Sequence, residues 1–151
     1  MKTIRSGILG IALVSLSIMF MSAGWMTDFS MAKQEAKRSN KLILLSFSGS
    51  DWCTPCIKTR KELFDKEAFM QFATGNLVLI NADFPRLKKH LLSRSQTSQN
   101  EALAEQYDKE GVFPFTLLLD ADGKILKQWR GNPGVSPEAF ISQIKDCEHV
   151  K

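Results

Sequence analysis

A chain of 151 residues has room for one ordinary domain with its own core and not for two. Hydrophobic residues make up 44% and charged residues 24%, the balance of a packed globular protein and not of a disordered or collagen-like one. Half of the net charge of +4 comes from Lys2 and Arg5, and the remainder shows no basic clustering of the kind a nucleic-acid footprint needs, so no nucleic-acid partner is expected.

Lys2 and Arg5 open the chain, and residues 7–25 carry no charge, which is a signal-peptide layout. Small residues at Ser22, Ala23 and Gly24 suit cleavage before Trp25. The chain therefore divides into an export segment, residues 1–24, and a domain, residues 25–151. The apolar run also comes close to the length that spans a bilayer, so a cleaved signal peptide and a retained N-terminal membrane anchor both fit. Either one delivers the domain to the periplasm or cell envelope. The first cysteine is Cys53, so the sequence does not support a lipid-modified N-terminal cysteine.

Three cysteines in an oxidising compartment leave one pair and one remainder. Cys53 and Cys56 are close neighbours while Cys147 is near the chain end, which favours a local redox pair over a structural framework.

Taken in chain order, residues 27–40 place Phe29, Ala32 and Ala36 at helical spacing, with Thr27 or Asp28 near the cap. Residues 42–47 form a continuous apolar run that reads as a buried strand, broken by Gly49, Ser50 and Asp51. Helical pattern resumes over 55–64 and 67–74, with Gly75 and Asn76 expected to end it. A second buried strand spans 77–83 and is closed by Pro85, which cannot continue a central ladder. Residues 86–92 look helical, 93–99 read as a polar loop, and Asn100 is expected to cap a helix running to about residue 110, stopped by Gly111. Residues 115–120 and 125–129 are two strands whose Asp122-Gly123 link predicts an antiparallel hairpin. Ser136, Pro137 and Glu138 open a last helix with Phe140, Ile141 and Ile144 on one face. A parallel start and an antiparallel end imply an α/β fold, a mixed central β-sheet flanked by helices on both faces.

The segment Ser50-Asp51-Trp52-Cys53-Thr54-Pro55-Cys56 sits where the first strand hands over to a helix. Unpaired N–H groups and the macrodipole at a helix start favour a thiolate on Cys53. Pro55 suits the first turn, where its missing donor costs nothing. Cys56, three residues on, faces the same side and can form a disulfide with Cys53. In this reading Cys53, at the exposed end, is the nucleophile, and Cys56, deeper in the helix, resolves the mixed disulfide. No metal or other cofactor is expected. A zinc site would have to draw on Cys147, His90 and His149 to complete the Cys-x-x-Cys pair. Cys147 reads as a buried, inert thiol on the last helix or as an exposed one that pairs with a partner chain. His90 and His149 read as solvated, and Phe113, Phe115 and Trp129 as core or groove packing.

The motif Trp52-Cys53-Thr54-Pro55-Cys56 after a buried strand, Gly111-Val112-Phe113-Pro114 before the next, and Gly131 ahead of the last helix resemble the thioredoxin superfamily over about residues 27–146. The likeness is strongest to small exported bacterial members reading Ser-Gly-Ser-Asp-Trp-Cys. The resemblance implies a thioredoxin-like fold, and with the cysteine pair the chain reads as a thiol:disulfide oxidoreductase expected to reduce or reshuffle protein disulfides in preference to installing them, served by an upstream electron donor, while the motif itself leaves the redox poise open. The resemblance also implies that Pro114 is the cis-proline beside the cysteines and that the Phe113 backbone pairs with an extended substrate. Trp52, Phe113 and Pro114 are thus the expected substrate surface, with Trp52 shielding the pair. A membrane-tethered module that holds client proteins in the groove beside Pro114, with the cysteines resting as a static disulfide and no redox turnover, accepts the same fold.

The chain departs from the family pattern in three places. The buried acid common in the family would fall at about Ser46, leaving Asp51, Glu62, Asp83 or water to take the Cys56 proton. The motif centre is Thr-Pro where common reductases have Gly-Pro. Phe115 follows Pro114 where Thr is usual, and residues 86–99 lengthen a connection.

Overall fold

The structure is a computed structural model and describes residues 24–148. The expected export segment lies outside the described residues except for Gly24, as does His149. Helix α1, Phe29–Ser39, is capped by Asp28, whose carboxylate accepts the Met31 N–H at 2.8 Å, and it ends where Asn40 turns left-handed. Strand β1, Leu42–Ser48, leads into helix α2, Thr54–Thr59, which widens into a π turn over Arg60–Phe64. Helix α3, Glu67–Asn76, passes directly into strand β2, Leu77–Asp83. Helix α4, Arg94–Tyr107, precedes strands β3, Phe115–Leu119, and β4, Ile125–Arg130, and helix α5, Pro137–Glu148, closes the fold.

The strands order as β2-β1-β3-β4. β1 runs parallel to β2 and antiparallel to β3, and β3 and β4 form the expected antiparallel hairpin. Met26 adds a short parallel bridge to Ile80 at the outer edge of β2. Alternation along the strands builds two cores. Ile43, Leu45, Phe47, Val78, Ile80 and Leu117 face α1 and α4, while Leu42, Leu44, Leu77, Leu79 and Leu118 face α3 and α5. This is the thioredoxin-like arrangement expected, a mixed sheet with helices on both faces.

Several local expectations need correction. Gly75 and Asn76 do not stop α3 before the strand, because they form its last turn. Only Lys88–His90 forms a single 3-10 turn within residues 86–92, since the N–H groups of Arg86 and Leu87 bond the Asp51 carboxylate and not a helical carbonyl. Asn100 does not cap a helix. The cap of α4 is Ser93, whose hydroxyl accepts the Gln96 N–H, while Asn100 lies buried mid-helix and donates to the Asp83 carbonyl at 2.8 Å. Residues 93–99, expected as a polar loop, form the cap and opening turns of α4, and they are polar because their side chains tie the helix to neighbouring backbone, with Gln96 donating to the Thr27 carbonyl and Gln99 accepting the Phe29 N–H. That helix ends at Tyr107 and not near residue 110.

Candidate active site

β1 delivers the chain to a tight turn in which the Cys53 N–H donates to the Gly49 carbonyl at 2.9 Å. Cys53 is then the N-cap of α2, its Sγ accepting the Cys56 N–H at 3.3 Å, and Pro55 occupies the first turn. The two sulfurs are joined in a disulfide with the Cα atoms 5.2 Å apart. Cys53 is not the more exposed of the two, since its residue exposure is 4% against 5% for Cys56. As an N-cap its side chain folds back over the first turn, which brings its sulfur to the depth of its partner.

A knot of aromatic and polar contacts fixes the turn from the β2 side. The Trp52 indole N–H donates to the Phe84 carbonyl at 2.7 Å, its ring meets Phe113 edge-on at 5.5 Å, and the Arg86 guanidinium stacks 3.6 Å from its centroid. Phe84 also packs edge-on against Phe113, so residues on both sides of the cysteines share one aromatic cluster. Asp51, with its side chain 4% exposed, accepts the N–H groups of Arg86 and Leu87 and lies 3.1 Å from His90 Nδ1. The backbone donor of Arg86 leads in holding the Asp51 carboxyl below its ordinary range, so its clamp is complete at neutral pH and is lost only in acid. Sequence reasoning read His90 as solvated, and its side chain is 46% exposed, but it gave neither His90 nor Asp51 a structural task. The partners come from 35 to 39 residues away, and no local pattern marks them.

The turn leaves no room at Gly49. A Cβ there would lie 2.3 Å from the Trp52 ring. Gly49→Ala is therefore expected to displace the indole and cost about 1–3 kcal/mol of stability. Gly75→Ala, where the added Cβ meets nothing within 4 Å inside α3, should instead gain about 0.5–1 kcal/mol. Urea denaturation of the two oxidised variants checks both signs.

Beneath Cys56 the inward face of the sheet changes character. The positions that carry Leu42, Leu44, Leu79 and Leu118 nearer its other end carry Ser46, Ser48, Asn81 and Thr116 here. A cavity of about 230 Å³ opens there, lined by Ser46, Ser48, Thr59, Asn81, Cys56 and Pro114 among others. Ser46 thus stands at the expected place of the buried acid. None of the three substitutes lines the cavity: Asp51 holds the Arg86 turn, Glu62 pairs with Lys58 at 3.8 Å, and Asp83 holds Ser48 and Ser50. Asp65 does line it, engaged with Arg60 at 2.7 Å.

The Phe113-Pro114 peptide bond is cis, as the resemblance implied. Pro114 is buried and shares the cavity with Cys56, whereas Phe113 enters no strand ladder. The loop before it hangs on Asp108, whose Oδ1 accepts the Val112 N–H at 2.9 Å while its Oδ2 is buried with no partner among the described residues. Burial raises the Asp108 carboxyl above 3.8, with the Val112 donor and Arg130 opposing. The folded state therefore holds that proton more tightly than the unfolded one, and stability falls as pH rises from 3.8 through the raised value. Asp108→Asn keeps an acceptor for Val112 and removes the charge. Thermal melts should show it more stable than the parent at pH 7, with the gain disappearing below pH 3.8.

Cys147 is half-buried against the α3–α5 core and donates to the Gln143 carbonyl at 3.3 Å, neither the fully buried thiol nor the exposed one of the two expectations. Among the described residues no group of three or more His, Cys, Asp or Glu is placed to hold a metal.

A family model described as thioredoxin-like matches residues 24–121. The disulfide bond reductase DsbH of Chlamydia pneumoniae is 34% identical over 120 residues, which cover 80% of this chain and 70% of that protein. The chain belongs to the thioredoxin-like family. A second relative, the thioredoxin-related protein DsbJ of Chlamydia pneumoniae, is 33% identical over 63% of this chain but only 26% of its own length. Among solved structures, a DsbH oxidoreductase superposes with a TM-score of 0.74 at 30% identity, over 95% of this chain and 96% of that one. The oxidised C-terminal domain of DsbD from Neisseria meningitidis shares the thioredoxin-like fold at 19% identity, with a TM-score of 0.53 over 78% of this chain and 90% of its own.

Proposed function

We propose that this thiol:disulfide oxidoreductase reduces or reshuffles protein disulfides in the cell envelope, with Cys53 as nucleophile and Cys56 as resolving cysteine. The observation that carries the reading is the Cys53–Cys56 disulfide at the head of α2. A thiolate at Cys53 gains from the Cys56 N–H and the helix dipole, which makes it the better attacking group at neutral pH.

In the reducing direction the Cys53 thiolate attacks one sulfur of a substrate disulfide. That bond breaks, the departing sulfur takes up a proton, and a mixed disulfide forms. Cys56 then loses its proton and attacks the Cys53 sulfur, which releases the second substrate thiol and leaves the enzyme disulfide. Two electrons have passed to the substrate, and an upstream thiol donor returns them. The hydroxyls of Ser46 and Thr59 and the Asn81 amide line the space into which the Cys56 proton leaves. Half-buried Trp52 and Phe113 form the surface beside the cysteines with Pro114 buried behind them, and the main chain of Phe113, outside the sheet ladders, is there to pair with an extended substrate. The reductase name of the Chlamydia pneumoniae relative supports this direction. The charged start and apolar run of residues 1–24 support export, as cleaved leader or retained anchor, of a domain over 25–151.

Thiol trapping in growing cells, read as a mobility shift, tests the proposal. The Cys53 and Cys56 thiols should be largely reduced at rest. A pair that stays oxidised and that no physiological thiol donor reduces would overturn it and leave a client-holding groove with a static disulfide.

A further inference from the structure

The near-neutral balance of the domain hides a strongly one-sided segment. Residues 84–100 contain Arg86, Lys88, Lys89 and Arg94 and no acidic residue. All four cations are exposed, and none makes an ion pair among the described residues. Arg94 stands in the first turn of α4, where the macrodipole disfavours a cation and where no acid offsets it. Interleaved with these charges, Leu87 is 47% and Leu91 61% exposed. Apart from Arg86, which stacks on Trp52, these cations make no ion pair or ring contact among the described residues that would repay their placement.

The segment is nevertheless held in place, and at the redox centre. Asp51 grips the N–H groups of Arg86 and Leu87 and the His90 ring, Trp52 bonds Phe84, and Arg86 stacks on Trp52. Asp51 and Trp52 are the two residues before Cys53, so the basic segment is rigidly coupled to the disulfide. The carboxylate of Asp51 is consumed in that grip and does not neutralise the surface. On the other side, Glu101 and Glu105 line a separate depression with Phe84 and Asp108.

Building on the oxidoreductase reading, we propose that residues 86–94 form a docking ledge for an acidic polypeptide segment with apolar side chains that flanks the disulfide of the substrate protein. Carboxylates of the partner meet Arg86, Lys88, Lys89 and Arg94, and its apolar side chains cover Leu87 and Leu91. Contiguity with Trp52 and Cys53 favours a protein carrying a disulfide over a membrane surface as the occupant.

The test uses the purified protein and two labelled peptides of equal length with the same apolar residues, one flanked by glutamates and one by lysines. Anisotropy titration of their disulfide-free forms reads docking without turnover, and reduction of their disulfide-bonded forms reads kcat/KM. The acidic peptide should bind and be reduced about tenfold better at low salt, mainly through KM, and the preference should collapse at about 0.5 M salt. The Lys88→Glu, Lys89→Glu, Arg94→Glu triple variant should reverse it. Equal affinity for the two peptides, or a preference that survives the triple variant, overturns the ledge. So does loss of binding to anionic phosphatidylglycerol vesicles in the triple variant without any peptide preference in the parent, which assigns the cations to a membrane. Reduction of the small neutral bis-(2-hydroxyethyl) disulfide reports the centre itself. Its failure in the parent strikes at the oxidoreductase reading, while the anisotropy result still decides the ledge.

Discussion

A Cys56→Ser variant is expected to accumulate substrate proteins on Cys53 as mixed disulfides, and a Cys53→Ser variant is expected to capture none. The asymmetry follows from the cap. Cys53 stands before the first turn of α2, where it accepts the Cys56 N–H at 3.3 Å and where the dipole stabilises its anion. Cys56 lies inside the first turn and faces the cavity under the sheet. Attack by Cys53 needs no help from Cys56, but release does, because only a second thiolate on the same helix can reach the mixed disulfide at high effective concentration. Both single variants should lose multiple-turnover disulfide reduction by a factor of about a thousand or more, the scale on which removal of a nucleophile acts. Non-reducing gels of cells expressing each variant read the capture directly. Equal trapping by both would contradict the assignment of roles.

The second large effect concerns stability. Phe140 is fully buried, with Trp129 at 4.5 Å, Phe64 at 6.0 Å and Phe69 at 6.1 Å between ring centroids. Replacing it by alanine removes a ring from the centre of the α3–α5 core and should cost about 3–5 kcal/mol. That is a large share of the roughly 5–15 kcal/mol that holds a typical domain together. The loss also touches the site, because Phe64 ends the π turn that continues α2 and anchors the active-site helix in the same cluster. Guanidinium titration should show a lower midpoint with an unchanged slope. Met31→Ala, at a side chain 58% exposed, should stay within about 0.5 kcal/mol of the parent.

The parts of the fold that were legible in the sequence are those in which local pattern and burial agree. The runs at 42–47 and 77–83 read as buried strands because every position faces a helix layer, and the structure buries nearly all of them. The Asp122-Gly123 hairpin and the Ser136-Pro137 helix start also came through, because turn and cap chemistry is local. Residues 86–100 did not. Their backbone and amide groups bond to Asp51, Asp83 and Thr27, so composition there serves tertiary contacts and reads as loop. One local signal was available: Ser93 followed by Gln96 is the start of a helix by its spacing, and Asn100 drew attention away from it. At the site, the cysteines, Trp52 and Pro114 were readable from the motif. The Asp51–Arg86–His90 clamp was not, because its partners meet only through the fold. The equal depth of Cys53 and Cys56 was not readable either, since it depends on how the cap side chain folds back.

The direction of electron flow separates a reductase from a disulfide-forming oxidant, and the reduction potential of the Cys53–Cys56 pair measures it. Equilibration of the purified protein with glutathione or dithiothreitol buffers, followed by thiol trapping, gives the value. A reductase or isomerase should lie between about −180 mV, the potential of protein disulfide isomerase, and the roughly −270 mV of thioredoxin. A value near −120 mV, that of a strong disulfide-forming oxidant, would contradict it.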